Sequence, residues 1–276
     1  MERISRGFRI VGASWQVLKA DRELLVLPII SFLATALMAA TFFFPVAMTM
    51  PDDGTVQIQH YLLMGVFYFI ATFITVFFNA AVVAAAMIRL NGGDPTLSDG
   101  LRAAWSKVGK IAAWSLLTAS VGLILRMLEE RAGFLGRIVI AIVGAAWAAI
   151  TFFVVPVLLF EPVEVVPGVK RSASLFRERW GEQFTGNVSI GMAMFLLLLP
   201  VLALTFMLFS ASALVGIVFG VVAIGLLTSA GSAMSGIFNA ALYKYATTGQ
   251  VAAGFAPDDL SGAFKPKKDA GRGAWS

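Results

Sequence analysis

Six apolar runs of membrane-spanning length constrain this chain more than any motif does: Leu24–Met48, Tyr61–Ile88, Ile111–Leu128, Ile138–Phe160, Val188–Phe209 and Ala213–Tyr243. A helix needs about 20 apolar residues to cross a hydrocarbon core of roughly 30 Å, and within that core every backbone polar group must be satisfied internally. The pattern predicts an all-α fold, a polytopic membrane helical bundle with six transmembrane helices. The second and sixth runs exceed one crossing and must tilt or protrude, while the third is the shortest. Composition agrees, because only 13% of the 276 residues are charged, against about 25% in soluble domains.

Basic residues divide unevenly between the two ends of these runs. The N-terminal segment carries Arg3, Arg6, Arg9, Lys19 and Arg22, and the second connection carries Arg89, Arg102, Lys107 and Lys110. The fourth connection has Lys170, Arg171, Arg177 and Arg179, and the C-terminal region has Lys244, Lys265, Lys267, Lys268 and Arg272. Eighteen basic residues therefore fall on one side, against Arg126, Arg131 and Arg137 on the other. Because positive loops stay cytoplasmic, both termini are expected in the cytoplasm. The charged first 23 residues do not resemble a cleavable leader, so the first run is expected to remain as an anchor.

Three basic amphipathic segments precede runs one, three and five. In the first, about residues 2–20, Ile4, Phe8, Val11, Trp15 and Leu18 recur at helical spacing. In the second, about 97–110, Thr96 and Asp99 fit a capping box, and Leu101, Trp105 and Val108 share a face. In the third, about 167–185, Pro167 suits a first turn and Val169, Ala173, Phe176, Trp180 and Phe184 form a stripe opposite Lys170, Ser174, Arg177 and Glu178. Such helices lie in the membrane interface and attract anionic lipid. Lys170, Arg171, Arg177, Arg179, Trp180, Trp15 and Trp105 are the candidate lipid contacts. The openings "GFR" at Gly7, "GLR" at Gly100 and "GVK" at Gly168, with "FNAA" at Phe78 and Phe238, suggest three divergent copies of an interfacial helix plus a hairpin. Convergence of basic surface helices on one composition is the alternative. Residues 1–248 then form one membrane domain. The stretch 249–276, mixing Gly, Pro and charge with few periodic apolar residues, reads as a flexible cytoplasmic tail.

The residue inventory excludes much chemistry. With no cysteine there is no disulfide, thiolate nucleophile or cysteine metal site, and the single histidine, His60, cannot build a multi-histidine centre. No catalytic residue, cofactor or metal ligand is assigned. Arg126, Glu129 and Glu130 have the spacing that finishes a helix at an interface, and Gly133 with Gly136 reads as a turn. No carboxylate or lysine lies near the middle of a run, which argues against proton-coupled transport. The polar residues there are hydroxyls and two amides, Asn79 and Asn239, read as interhelical contacts. Gly216, Gly220, Gly225 and Gly236 admit close approach of another helix, taken from the same chain in preference to a homo-oligomer seam. The expected partners are membrane lipids, not nucleic acid.

The run "FNAAVVAAAMIRLNGGDPTLSDGLRAAWSKVGKIAAWSLLTASVGLILRMLEERAGFLGRIV", the later "ITFFVVPVLLFE" and "KRSASLFRERWGEQFTGN", and "GIFNAALYKYATTG" resemble the prokaryotic membrane-protein family DUF6159. The resemblance covers most of the chain in order and implies the plasma membrane of a prokaryote, with no catalytic residues to carry over. More loosely, "GVKRSASLFRERWGEQF" is similar to segments in membrane domains attached to some glycerophosphodiester phosphodiesterases, whose soluble catalytic domain this chain lacks.

Two functional classes survive. One is a non-enzymatic protein that organises the cytoplasmic leaflet or scaffolds partners through its basic helices; the other is a permease or transporter component for a small molecule, with Pro28, Pro45, Pro156 and Pro200 as places for broken helices. The charge pattern favours the first. A cavity reaching mid-membrane would favour the second, and a solid bundle over a flat basic underside the first.

Overall fold

The structure, a computed structural model, describes residues 2–49, 58–179 and 186–256, with side chains for 9–43, 62–177 and 189–256. Ten helices follow one another among these residues: α1 (Glu2–Ala20), α2 (Glu23–Thr49), α3 (Ile58–Leu90), α4 (Leu97–Ser106), α5 (Val108–Arg131), α6 (Phe134–Ile150), α7 (Val154–Phe160), α8 (Val165–Arg179), α9 (Gly186–Ala211) and α10 (Ala213–Thr248). Six segments are long and apolar enough to cross a membrane: Glu23–Phe43, Leu62–Leu90, Val108–Arg131, Phe134–Phe160, Ser189–Ala211 and Ala213–Thr248. A surface helix and a long hairpin alternate three times, as α1 with α2–α3, α4 with α5–α6, and α8 with α9–α10.

Helices α3 and α10 are the centre of the bundle. Against α3 pack α2, α4, α5, α7 and α10, and against α10 pack α9, α2 and α1. Lipid tails are as apolar as leucine, so helices in a membrane associate through close van der Waals packing of small residues. The basic half of α3 shows this in Ala80, Ala81, Ala84, Ala85 and Ala86, all buried. A Cβ on Gly100 of α4 would lie 2.7 Å from the Ala81 carbonyl oxygen, and one on Gly236 of α10 would lie 2.6 Å from Val82 Cγ1. Two helix backbones thus rest directly on α3.

Burial is concentrated at the end of the molecule that carries the basic loops. Phe153, Val154 and Val157 join Ala233, Met234, Ile237 and Phe238 there, beneath Ile10, Val17 and Leu18 of α1. In the opposite half α6 buries no residue and the crossing window of α9 buries none, although a Cβ on Gly216 of α10 would lie 2.4 Å from Phe209 Cα of α9.

The surface helices pack differently from the expected stripes. In α1 the buried residues are Ile10, Ala13, Ser14, Val17 and Leu18, Val11 is half-buried, and Trp15 is 42% exposed. In α4 the buried pair is Gly100 and Ala104, while Trp105 is 68% exposed. In α8 the buried residues are Gly168, Ser172 and Leu175, with Val169 and Phe176 only partly covered. Helices α4 and α8 place small residues, Gly100, Ala104, Gly168 and Ser172, against the bundle, whereas α1 also buries Ile10, Val17 and Leu18 there. The capping box at Thr96 and Asp99 is present as expected. Past α10, Ala252 and Phe255 are buried, and the Phe255 ring lies 6.5 Å from that of Phe238. Residues 250–256 therefore dock on the bundle, and 257–276 lie outside the described residues.

Candidate functional site: a clamped helix break and a polar cleft

The fourth crossing is interrupted at Thr151–Phe153, which form a turn between α6 and α7, about 10 Å along the helix from Phe160. The chemical cause is Pro156. It has no N–H, so the Phe152 carbonyl loses the donor it would find four residues on, and the chain needs another. Asn239 Nδ2 of α10 supplies it, donating to Phe152 O at 3.0 Å. One residue later the Phe153 N–H donates to Ser172 Oγ of α8, at 3.0 Å, and Ser172 is fully buried. Non-helical backbone at membrane depth persists only where protein groups satisfy it, and here two helices do so.

The far end of α7 is held by the same two helices. Arg171 Nε of α8 donates to both oxygens of Glu161, at 3.3 and 3.2 Å, and the Tyr243 hydroxyl of α10 donates to Glu161 Oε1 at 3.1 Å. Asn239 and Tyr243 are four residues apart, so one face of α10 grips both ends of α7. Beside this clamp Lys110 Nζ donates to the Val163 carbonyl at 2.7 Å and pairs with Glu164 at 3.1 Å. Lys244 Nζ donates to the Leu90 carbonyl at 2.9 Å, where α3 ends and its carbonyls lack partners. Of the other prolines expected to break helices, Pro28 and Pro45 lie within α2 and Pro200 within α9 without interrupting them.

A cleft of about 190 Å³ opens where α2, α3 and α10 meet. Ser31 and Thr35 line it from α2, Thr75 and Asn79 from α3, and Thr228, Ser229 and Ser232 from α10, with Pro28, Phe32 and Phe78 as its apolar surface. Ser31 to Thr35, Thr75 to Asn79 and Thr228 to Ser232 each fall near the middle of their crossings. Polar groups from three helices therefore meet at one depth. Thr75 and Thr228 are exposed at the mouth, whereas Ser229 is 2% exposed and its Oγ has no hydrogen-bond partner. Toward the basic end the packed Ala80, Ala81, Val82, Ala233 and Met234 close off the cleft.

Of the two amides read as helix bridges, Asn239 makes the bond to the break and Asn79 lines the cleft. The expected lipid contacts separate. Lys170 and Arg177 are exposed on α8, but Arg171 is paired with Glu161 at 3.2 Å and its side chain is 40% exposed. Arg179 and Trp180 have side chains outside the described residues, as does His60. Trp15 is stacked under Lys19, whose Nζ lies 5.6 Å from the ring centre, and Trp105 meets Phe77 edge-on. Arg126 pairs with Glu130 at 3.4 Å, both largely exposed, where α5 finishes. Sequence reasoning missed Ser172, Glu161 and Tyr243; the available signal was Pro156 four residues after Phe152, together with an acid just past the end of a crossing.

Outside the crossings two carboxyls are shifted in opposite directions. Burial raises Asp21 above the ordinary carboxylate range, against the lowering effect of the Glu23 N–H and of Arg89. Asp99 is held below that range by the Thr96 hydroxyl and backbone N–H bonds of the capping box.

A helical chain with six membrane-crossing segments, one of them broken and clamped, and a polar cleft at mid-depth, is an integral multi-pass membrane protein. Residues 58–255 match the model of DUF6159, described as a family of unknown function, and the chain belongs to that family. No curated protein and no solved structure matches it, and the looser likeness to phosphodiesterase membrane domains gains no support.

Proposed function

We propose that the protein is a non-enzymatic membrane carrier, a permease or permease component for a small molecule, residing in the plasma membrane of a prokaryote with its basic end in the cytoplasm. The observation that carries this reading is the meeting of seven hydroxyl and amide side chains at the middle of three crossings, around a cleft with one buried hydroxyl left unpartnered. Polar groups at membrane depth are costly, and a helix crossing interrupted nearby is the kind of element on which carriers build their sites. Scaffolding through lipid-resting helices loses ground, because α1, α4 and α8 turn their close-packing faces to the bundle.

Mass spectrometry of small molecules retained by the purified full chain tests the reading. A species held by the native protein and lost from a folded Ser229→Leu variant, which fills the cleft, is the expected result. Identical retention by both proteins would remove the cleft from the function. Because the chain has no cysteine, threading is tested with single substitutions. Gly133→Cys should react with an impermeant maleimide in intact cells, and Lys170→Cys only after lysis.

The exposed Lys170 and Arg177, with Trp105 at 68% exposure, favour a second reading in which the basic end gathers anionic lipid. Replacing Lys170 and Arg177 with Gln should reduce the anionic lipid that co-purifies, as should high salt. Unchanged lipid selectivity at low salt would remove it.

A further inference from the structure

Resting on the carrier reading, we infer that the cleft among α2, α3 and α10 takes a small uncharged molecule bearing hydroxyl or amide donors, a short polyol or a urea-like amide. Its chemistry follows from which hydrogen-bonding capacity is left over. Thr75 donates its hydroxyl proton to the Ala71 carbonyl at 2.9 Å, and Thr228 donates to the Ile224 carbonyl at 2.8 Å. Each threonine oxygen then turns only acceptor lone pairs to the cleft. Asn79 adds a carboxamide and Ser229 a hydroxyl with no partner in the protein. A ligand that both donates and accepts, as a polyol or a urea-like amide does, matches the threonine lone pairs together with the Asn79 amide and the Ser229 hydroxyl.

Ions fit poorly. No ionisable side chain lines the cleft, so an anion or cation stripped of water would find no countercharge there. A purely apolar guest would leave the Ser229 hydroxyl as unpaired as before. Size sets the remaining limit, since about 190 Å³ is below the roughly 300–1,000 Å³ of sites for drug-sized ligands. Phe32 and Phe78 supply apolar surface for the C–H face of such a molecule.

Ser229 gives the inference a signature that a structural serine would not have. A buried hydroxyl without a partner destabilises the empty protein, and a ligand that supplies the partner relieves this. Ser229→Ala should therefore raise the thermal midpoint of the ligand-free protein while weakening ligand binding about tenfold, the loss of one neutral hydrogen bond. The experiment measures equilibrium binding of radiolabelled glycerol and urea to the full chain in nanodiscs, with 1-propanol, sodium and phosphate as comparisons. Thr228→Val, of the same shape, and Phe134→Ala, remote on α6, accompany Ser229→Ala. Saturable binding of glycerol or urea, weakened by Ser229→Ala and Thr228→Val and untouched by Phe134→Ala, is the expected result. Propanol, sodium or phosphate binding as tightly as glycerol, or absence of any saturable polyol or amide binding, would overturn the inference. Solute flux in proteoliposomes separates this from failure of the carrier reading. Flux of some other solute that responds to Ser229→Leu leaves the carrier standing and only the ligand class wrong, whereas flux of no solute responding to any cleft variant removes the carrier as well.

Discussion

The two halves of this molecule are built on different rules. At the basic end α4 and α10 rest on α3 through glycines and alanines, Gly168 of α8 meets Leu158 of α7, and polar bonds hold both ends of α7. In the other half Gly216 and Gly220 still bring α10 against α9, but leucines and phenylalanines such as Leu37, Phe134, Leu135 and Phe206 are turned outward. Lipid can replace protein contact for an apolar side chain but not for a backbone carbonyl or an ion pair. The polar bonds are therefore gathered at the basic end, while the other half, apart from the close α9–α10 contact at Gly216, presents mainly apolar surface. The polar cleft sits where one regime gives way to the other.

The contrast is broken most severely by adding bulk where backbones touch. Gly100→Leu drives a side chain into the Ala81 carbonyl, which has no rotamer to yield, and should abolish a monodisperse peak on size exclusion in detergent. Gly144→Leu is the control: its Cβ would meet only Leu125 Cδ1, at 3.9 Å, and the peak should persist. If both variants behave alike, the halves are not built differently.

Removing bulk should show the same gradient. Phe153 is fully buried at the helix break, so Phe153→Ala should cost about 3–5 kcal/mol, read as a large fall in thermal midpoint. Phe134, 79% exposed on α6, should change stability by no more than about 0.5 kcal/mol when replaced with Ala.

Sequence showed the outer half more completely than the inner one, for a physical reason. Six crossings, their ends and the Thr96 capping box are written in hydropathy and in local spacing. The bundle-facing sides of α4 and α8 were not legible, because only their large apolar residues show a helical period in the sequence. A helix that must approach another backbone buries Gly100, Ala104, Gly168 and Ser172 instead, and leaves Trp105 at the rim. The clamp joins residues far apart in sequence, Glu161 with Tyr243 and Phe152 with Asn239, so no local pattern announces it. Of the cleft, sequence supplied Asn79 and the presence of hydroxyls in the crossings, but not their meeting.

The clamp sharpens the comparison at an intermediate scale. Arg171→Gln leaves the Glu161 carboxylate without its ion pair, and Tyr243→Phe removes its second donor. Because both act on one carboxylate, their effects on thermal stability should be non-additive, with a coupling of roughly 0.5–3 kcal/mol in a double-mutant cycle. Simple additivity would mean that Arg171 and Tyr243 do not act through one carboxylate.

The smallest expected effect lies at the joint between α1 and α2, and it tests whether the basic end tolerates a buried charge it has not fully paired. Asp21 is 6% exposed; it accepts the Glu23 N–H at the start of α2, and its Oδ2 has no partner. Burial raises its pKa above the model-compound value of 3.8, with Arg89 too weak an influence to reverse this and Glu23 and Asp94 adding to the rise. The folded chain therefore holds this proton to higher pH than the unfolded chain does. Its contribution to stability falls as pH rises from 3.8 through the raised folded value, and stays lost at neutral pH. Asp99 has the opposite sign: its lowered pKa gives a contribution present above 3.8 and lost as pH falls through the folded value. Asp21→Asn preserves shape and the acceptor for the Glu23 N–H while removing the charge. It should raise the thermal midpoint slightly at neutral pH, flatten the slope just above 3.8 and match the native protein in stronger acid, where Asp21 is already neutral. A variant less stable than native at neutral pH, with the slope unchanged, would show instead that Arg89 pairs with Asp21 and that the basic end leaves no charge unmatched.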